Sequence, residues 1–378
     1  MGFKKYNKMR FLSRLIYIKI AILLISSEMT FAQQISDIND VISKIEKITS
    51  DVEDIVYRFD KLEKKIEDSM WFDLVGDISC IDKVRLTGPP KKNVKKTGHE
   101  FTDEFADNNL VFYSYIFIPR SVKQNRKYPL IVFPHGGIHG TFSVGYSHII
   151  RELILQGYIV IAPDYRGSTG YGKSFHKAID YGGRENEDVA ASRDHMVRSY
   201  SIVDSLRVAM LGWSHGGMIT LMNILKYPEK YTCGYAGVPV SDVTYRLEYQ
   251  TKGYSDLFSA PYHIGKTPEE APYEYEERSP VTYAKYLERP LMITTVKNDD
   301  DVSYKEVMRM ADSLKSYNKT FDFKIYEALP GAHLFERIDT EESQEIRLTV
   351  YKFLSRYLKP SKPIKNIKDL KKAGYRYY

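Results

Sequence analysis

The sequence predicts an α/β fold in which a mostly parallel sheet is flanked by helices. From residue 110 onward, short apolar runs alternate with segments of helical periodicity, as in chains whose strands are joined by crossover helices. Several runs are unbroken stretches of Ile, Val, Leu, Tyr and Phe, as expected for strands covered on both faces. One run passes through a glycine-rich turn directly into a helix.

The expected elements define the domain boundaries. Strands are expected at Val111–Pro119, Leu130–Pro134, Tyr158–Pro163, Arg207–Trp213, Tyr231–Val240, Leu291–Val296 and Phe321–Leu329. Helices are expected at 186–199, 215–226, 303–317 and 341–358. We therefore assign residues 110–358 to the α/β domain, residues 71–109 to a linker and residues 359–378 to a basic C-terminal tail.

The composition excludes several classes of protein. The chain has 378 residues, 43% of them hydrophobic, which is enough for a globular core. Its 2 cysteines exclude a disulfide scaffold. The net charge of +6 comes from the two ends, while the middle is slightly acidic. This distribution argues against a nucleic-acid partner, and no zinc spacing or phosphate-binding loop predicts a metal or a cofactor.

Residues 1–32 have the pattern of a secretory signal peptide. Basic residues precede an apolar stretch from Leu15 to Ile25, and Ala32 stands at the expected cleavage point. Lys19 interrupts the apolar stretch and Glu28 lies close to the cleavage point, and neither is typical of a signal peptide. The alternative is an uncleaved membrane anchor. The expected location is the periplasm or the medium.

Residues 33–70 carry apolar side chains at heptad spacing, as a long amphipathic helix does. The seam consists of Ile38, Val41, Ile45, Ile48, Val52, Ile55, Phe59, Leu62 and Ile66. Such a seam predicts either a coiled coil, through which the protein forms a homo-oligomer, or a helix that lies on the body of its own chain.

A candidate nucleophile lies where the strand at Arg207–Trp213 meets the following helix. Ser214 is the serine of a Gly-X-Ser-X-Gly turn between Gly212 and Gly216, in the strand–turn–helix context of a nucleophile elbow. Glycines let the backbone turn sharply, and the start of a helix favours developing negative charge. We therefore predict an α/β-hydrolase fold with Ser214 as its nucleophile.

The base that activates this serine should lie downstream, after an acid. Apart from His215, the next residue in the chain, only His263 and His333 follow Ser214. His333 lies in a loop after the strand expected at Phe321–Leu329, and active sites assemble where parallel strands end. His263 lies in an irregular Tyr-rich stretch. We therefore predict His333 as the base.

Three carboxylates compete for the role of the acid. Asp299, Asp300 and Asp301 follow the strand expected at Leu291–Val296. The acid must accept a hydrogen bond from the second imidazole N–H group and so fix the tautomer. The residues alone do not select which of the three is the acid. The alternative interpretation is that the run is a solvated acidic turn or a weak calcium loop.

An oxyanion hole needs two backbone N–H groups beside the nucleophile. One is expected from His215, which follows the nucleophile. The other is expected from Gly137, in the His-Gly-Gly loop that begins at His135 after the strand at Leu130–Pro134. The alternative, that His135 and His139 bind a metal, has no carboxylate partner nearby in the sequence.

Together these motifs resemble the catalytic domain of the prolyl oligopeptidase family of serine peptidases. The resemblance rests on Tyr165–Gly172, on Gly212–Gly217, on the acidic segment before Val302 and on the Gly-Ala-His that ends at His333. It covers roughly residues 110–358.

The resemblance implies further details. In that family the catalytic Asp stands three residues before a Val, which here selects Asp299. The His-Gly-Gly loop resembles the acylaminoacyl-peptidase branch. Full-length members carry a β-propeller before this domain, and we expect none here, because only a helix and a linker precede it. The dipeptidyl-peptidase specificity that depends on the propeller is therefore not expected.

The favoured function is a serine peptidase that acts on short or acylated peptides. The alternative is a carboxylesterase that removes acetyl or feruloyl groups from carbohydrates with the same three residues. A third hypothesis is a non-catalytic binding protein that assembles partners through the coiled coil. The segment Ser241–Ala284 is expected to form either a substrate wall or an ordinary packed excursion.

Overall fold

The computed structural model describes residues 31–90, 109–333 and 340–373. Residues 1–30 of the predicted signal segment lie outside the described residues, as do residues 91–108 of the predicted linker and residues 374–378 of the tail. A long helix, α1 (Phe31–Val75), opens the described chain. Its residues up to Val56 belong to one compact unit, and the residues from Tyr57 onward belong to the unit that holds the sheet.

An eight-stranded sheet in the described chain confirms the predicted α/β fold. Its strands are β1 (Ser79–Pro90), β2 (Asn109–Pro119), β3 (Tyr128–Val132), β4 (Ile159–Asp164), β5 (Val203–Trp213), β6 (Cys233–Gly237), β7 (Leu291–Val296) and β8 (Asp322–Tyr326). The spatial order is β1-β2-β4-β3-β5-β6-β7-β8. The β1–β2 and β2–β4 pairs are antiparallel, and the other pairs are parallel.

Helices flank this sheet and bury both of its faces. They are α2 (Ser147–Gln156), α3 (Lys173–His176), α4 (Glu185–Ser199), α5 (His215–Lys226), α6 (Val243–Tyr249), α7 (Lys252–Ser259), α8 (Pro272–Glu277), α9 (Tyr304–Ser316), α10 (Glu341–Leu358) and α11 (Ile367–Ala373). Leu130 and Val132 of β3 belong to one hydrophobic cluster and Ile131 to a second. Alternate side chains of a strand thus enter cores on opposite faces.

The sheet begins earlier in the chain than the sequence predicts. Residues 79–90, which the sequence assigns to a linker, form β1. Ser79 lies opposite Pro119 and Thr87 lies opposite Val111, so β1 runs along nearly all of β2. Most β1 side chains are exposed or half-buried, as in an edge strand. The strand has no long apolar run, which explains why the pattern of the sequence does not reveal it.

The segment after α10 is also more ordered than a basic tail. Ile364, Leu370 and Ala373 are buried in the second hydrophobic cluster. The Lys362 N–H group donates to the carbonyl oxygen of Gln156, at the end of α2. The apolar residues of this segment are spaced between lysines, so the basic composition conceals a part of the core.

The second half of α1 packs against the sheet unit. Trp71 and Val75 are fully buried. The Trp71 ring stacks on Phe142 with a centroid distance of 5.7 Å. Within the described ranges, the structure has no helix that is both long and apolar enough to cross a membrane. Cys80 is exposed, Cys233 is buried, and both thiols are free.

Candidate active site

Ser214 lies at the sharp turn between β5 and α5. Its backbone has φ 56° and ψ −122°, a conformation that is rare for a residue other than glycine. A Cβ atom at Gly212 would come 2.3 Å from the Gly216 carbonyl oxygen, and one at Gly216 would come 2.4 Å from that of Pro134. Only glycines therefore allow this turn. Strained residues of this kind are typical of functional sites.

His333 contacts Ser214 on one side and Asp299 on the other. Its Nε2 atom lies 2.9 Å from Ser214 Oγ, and its Nδ1 atom lies 2.8 Å from Asp299 Oδ2. An ionised carboxylate can only accept a hydrogen bond, so Nδ1 carries the proton and Nε2 is left to accept from the serine hydroxyl. This tautomer is the one that a general base requires.

Asp299 is the candidate carboxylate that reaches Nδ1. Its side chain is buried, and its Oδ1 atom accepts the N–H groups of Asp301 and Val302, both at 2.9 Å. Asp300 is exposed. Asp301 approaches the opposite nitrogen, with Oδ2 3.6 Å from Nε2 of His333.

The His-Gly-Gly loop passes close to Ser214. A Cβ atom at Gly136 would lie 3.5 Å from Ser214 Cβ and 3.2 Å from the Trp213 carbonyl oxygen. Gly137 follows with φ 77°, a left-handed conformation that favours glycine. His215 is the first residue of α5 on the other side of the turn. Gly136, which the sequence analysis did not single out, is thus the loop residue next to Ser214.

Buried side chains of the Tyr165–Gly172 motif support this loop. The Tyr165 hydroxyl donates to the His135 carbonyl oxygen at 2.9 Å, and the two rings stack at 4.2 Å. The Nε2 atom of His135 lies 2.8 Å from Ser168 Oγ. Burial lowers the pKa of His135 to about 4, so the imidazole is neutral near pH 7. The motif therefore positions the backbone of the predicted oxyanion loop.

His135 and His139, the metal ligands of the alternative interpretation, form hydrogen bonds within the protein. His139 Nδ1 lies 2.8 Å from the Gly167 carbonyl oxygen, and its Nε2 atom lies 3.3 Å from Nε2 of His263. Among the described side chains, no group of three or more His, Cys, Asp and Glu residues has the arrangement of a metal site. His263, the other candidate base, therefore packs against the loop that begins with the His-Gly-Gly motif.

A buried arginine links the acidic loop to α6, and the sequence analysis did not find it. Arg246 donates from Nη2 to Asp301 Oδ1 at 2.7 Å and from Nη1 to the Asp301 carbonyl oxygen at 3.1 Å. Its Nε atom donates to the Tyr254 hydroxyl at 2.9 Å. The sequence gives little signal for it: Arg246 is one of two arginines, with Arg278, in the Tyr-rich, acidic segment that follows β6.

The fold and the turn that carries Ser214 define an α/β hydrolase. The model of the prolyl oligopeptidase family matches residues 145–361 of this chain. The chain belongs to this family, and therefore to the class of serine-type peptidases, which are hydrolases. The match confirms the resemblance that the sequence motifs indicate.

Curated relatives are similar to this chain over about two thirds of its length. The uncharacterized peptidase YuxL of Bacillus subtilis is 26% identical over 245 residues, which are 63% of this chain and 36% of the relative. Dipeptidyl aminopeptidase BIII of Pseudoxanthomonas mexicana is 28% identical over 240 residues, 61% and 35% of the two chains. The human acylamino-acid-releasing enzyme is 26% identical over 270 residues, 68% and 34%. The chain thus spans about a third of the length of these relatives.

Solved structures share the fold. The acylaminoacyl peptidase of Pyrococcus horikoshii has a TM-score of 0.61 and 20% identity, covering 79% of this chain and 45% of that one. A puromycin-hydrolyzing peptidase of Mycobacterium tuberculosis has a TM-score of 0.61 and 24% identity, covering 76% and 41%. At these identities the likeness shows the fold alone.

Proposed function

We propose that the protein hydrolyses peptide bonds with Ser214 as nucleophile, His333 as general base and Asp299 as the acid that orients the imidazole. One observation carries this proposal. The three side chains form a hydrogen-bonded chain, with contacts of 2.9 Å from Ser214 to His333 and 2.8 Å from His333 to Asp299.

In this mechanism a proton moves through His333 twice. The imidazole takes the hydroxyl proton as Ser214 Oγ bonds to the carbonyl carbon, and then gives it to the leaving amine. Water hydrolyses the acyl-enzyme by the same route. Asp299 stabilises the imidazolium without taking its proton. We assign the oxyanion to the backbone N–H groups of Gly137 and His215, each worth roughly 3–4 kcal/mol in the transition state.

The substrates that we propose are short peptides or acylated peptides. Family membership supports this choice, and two relatives are named as an aminopeptidase and an acylamino-acid-releasing enzyme. Because this chain covers about a third of their length, their specificity is not transferred to it. A carboxylesterase acting on carbohydrate-linked acyl groups would use the same three residues and is the competing outcome of the test.

The test compares p-nitroanilides of capped and uncapped short peptides with acetyl and feruloyl esters. The wild-type protein should cleave the anilides, and Ser214→Ala should lower kcat by roughly 10⁴-fold or more. Ser201→Ala, at an exposed serine before β5, is the matched control. Cleavage of the esters alone would favour the esterase. Anilide cleavage that survives Ser214→Ala would contradict the proposal.

We also propose that residues 1–32 direct export and are removed after Ala32, on the sequence pattern described above. The protein recovered from a periplasmic or secreted fraction should then begin at Gln33, as read by N-terminal sequencing or intact mass. A membrane-bound protein that retains residues 1–32 would favour the uncleaved anchor instead.

A further inference from the structure

Asp301 places a second carboxylate at the His333 nitrogen that faces the nucleophile. Asp301 Oδ2 lies 3.6 Å from Nε2, and Nε2 lies 2.9 Å from Ser214 Oγ. The Asp301 side chain is 49% exposed, whereas that of Asp299 is fully buried. Asp301 is therefore open to solvent at the point where a substrate must meet Ser214.

The Asp301 carboxylate is held in a fixed orientation. Its Oδ1 atom accepts from Arg246 Nη2 at 2.7 Å. Its backbone carbonyl accepts from Arg246 Nη1 at 3.1 Å and from Gln250 Nε2 at 2.8 Å. Its N–H group donates to Asp299 Oδ1 at 2.9 Å. Because Arg246 binds one carboxylate oxygen, the other oxygen is available near His333.

Arg246 is shared between Asp301 and a second carboxyl group, that of Glu306. Glu306 is fully buried, and its Oε2 atom lies 3.4 Å from Arg246 Nη1. Burial raises the pKa of the Glu306 carboxyl, against the lowering effect of Arg246 and of the N–H groups of Ser241 and Asp242. One guanidinium therefore contacts two carboxyl groups, and of the two that of Asp301 is the one exposed to solvent.

We propose that Asp301 is a specificity residue that binds an ammonium group of the peptide beside the scissile bond, which rests on the proposed function above. The α-nitrogen of the residue whose carbonyl is attacked lies two bonds, about 2.5 Å, from the carbonyl carbon. A free α-ammonium at that position, or the ammonium of a lysine side chain there, forms a charge-assisted hydrogen bond with Oδ2. The preferred substrates are thus peptides with a cationic group at the cleaved residue.

A second role for Asp301 would be purely electrostatic, through stabilisation of the His333 imidazolium. Every substrate uses His333, so that role changes the rate for all substrates alike. An ammonium site changes the rate only for cationic substrates. Varying the charge of the substrate therefore separates the two roles.

The experiment measures kcat/KM for three p-nitroanilides in the wild-type protein, in Asp301→Asn and in Asp300→Asn. The substrates are an aminoacyl anilide with a free α-amino group, its N-acetylated form, and an N-acetyl-lysyl anilide. The assay is run at about pH 7, where the lysyl ammonium and a large part of the α-amino groups are protonated. Asp300→Asn makes the same charge change in the same loop, at an exposed side chain.

In Asp301→Asn, kcat/KM for at least one cationic substrate should fall about tenfold relative to the neutral one, as expected for loss of a hydrogen bond between charged groups. A loss of kcat/KM for the anilide with a free α-amino group shows that Asp301 binds the peptide N-terminus. A loss for the lysyl anilide shows that it binds the ammonium of the lysine side chain. Equal changes for all three substrates, or equal effects of the two variants, would overturn the proposal.

Two further readouts separate failure of this proposal from failure of the proposed function. If the wild-type protein cleaves no anilide in a Ser214-dependent manner, the peptidase proposal itself fails. If it does cleave them, thermal unfolding of Asp301→Asn checks that the variant is folded. A succinylated anilide, which carries a negative charge, should be cleaved faster by Asp301→Asn than by the wild-type protein, and the opposite result also overturns the Asp301 proposal.

Discussion

Lys64 of α1 and Asp164 at the end of β4 form a buried ion pair, with Nζ 2.9 Å from Oδ2. Neither side chain is more than 3% exposed. Lys64 also donates to Thr141 Oγ1 at 2.6 Å and to the Phe142 carbonyl oxygen at 2.7 Å. Both belong to the loop that begins with the His-Gly-Gly motif. The ion pair therefore ties α1 to the loop that we assign to the oxyanion hole.

Replacing Lys64 by Met should destabilise the protein strongly. Burial alone would raise the pKa of Asp164, but Lys64, together with His135 and Tyr171, holds it below its ordinary value. Without the ammonium group, the buried carboxylate has lost its main cation, which typically costs about 3–5 kcal/mol. Urea unfolding measures the loss. The control is Lys65→Met, at the exposed neighbour on the same helix. Equal stability of the two variants would contradict this role.

Elements with strong local signals were predicted well. The helices at His215–Lys226 and Glu341–Leu358 begin and end at the predicted residues. The first follows a glycine turn, and the second has a clear apolar stripe. The Lys64–Asp164 pair was not predicted, because it joins residues far apart in the chain and depends on tertiary packing. β1 was missed because an edge strand needs no apolar run.

The candidate site also contains features that a local pattern predicts and contacts that depend on tertiary packing. The nucleophile turn is local, so Ser214 follows from a short pattern. His333 follows from chain order and strand position. Among three adjacent carboxylates, only the resemblance to a family selected Asp299. The sequence pattern by itself does not determine which of the three side chains points toward the imidazole. Arg246 was missed for a physical reason: its contact with Asp301 joins α6 to the acidic loop, which the fold brings together.

Ser214, His333 and Asp299 should behave as one catalytic unit. Single Ala substitutions at Ser214 or His333 should each lower kcat by roughly 10⁴-fold or more, and the double variant should lose about as much as either single variant. The reason is that the base has no use without the nucleophile, and the nucleophile is weak without the base. Steady-state kinetics on one anilide measures all three variants. Losses that multiply would show that the residues act independently.

Asp299→Asn should abolish most turnover while the protein stays folded. An amide in place of the carboxylate can donate to Nδ1, which favours the tautomer whose Nε2 atom carries the proton and cannot accept from Ser214. The expected fall in kcat is about 10⁴-fold. Asp300→Asn is the matched control. Comparison of kcat values and of near-ultraviolet circular dichroism checks both points. A severe effect of Asp300→Asn with a mild one of Asp299→Asn would reassign the acid.

Buried histidines should make the protein sensitive to acid. Burial lowers the pKa of His139 to about 4, of His176 to about 3 and of His263 to about 2. In the unfolded chain these groups take up protons near pH 6.5, so the free energy of unfolding falls as the pH falls below that value. Each group should cost about 2 kcal/mol at about pH 5.

His176→Phe tests this acid sensitivity. The His176 ring stacks on His139 at 3.6 Å, and its buried Nδ1 atom has no hydrogen-bond partner among the described residues, so a phenyl ring can replace it. Between pH 7 and pH 5 the variant should lose about 2 kcal/mol less than the wild-type protein, measured by urea unfolding. Parallel pH dependences in the two proteins would mean that His176 is not protonated on unfolding.

Most residues of the heptad seam of α1 are solvent-exposed in the structure of a single chain, and Val41 and Ile45 are half-buried. Ile48, Ile55, Phe59 and Leu62 are between 48% and 66% exposed. Lys64 and Trp71, which contact the sheet unit, occupy other positions of the repeat. Packing of the segment from Tyr57 to Val75 against the sheet therefore leaves Phe59 and Leu62 exposed. Because exposed apolar side chains at heptad spacing are stabilised by a second helix, we propose that the seam joins copies of this chain in a homo-oligomer.

Charged residues on the seam should therefore dissociate the oligomer without unfolding the protein. Ile48→Lys combined with Ile55→Lys places two ammonium groups at positions that a coiled coil buries, where an unpaired charge is costly. Ser43→Lys with Ser50→Lys is the matched control, because it adds the same charge at the same spacing on exposed positions outside the seam.

Light scattering measures the oligomeric state. It should show a dimer or trimer for the wild-type protein and the control, and a monomer for the seam variant. Anilide cleavage should stay unchanged in all three, because the seam carries none of the residues that we assign to catalysis. A wild-type protein that is already monomeric would exclude the coiled coil.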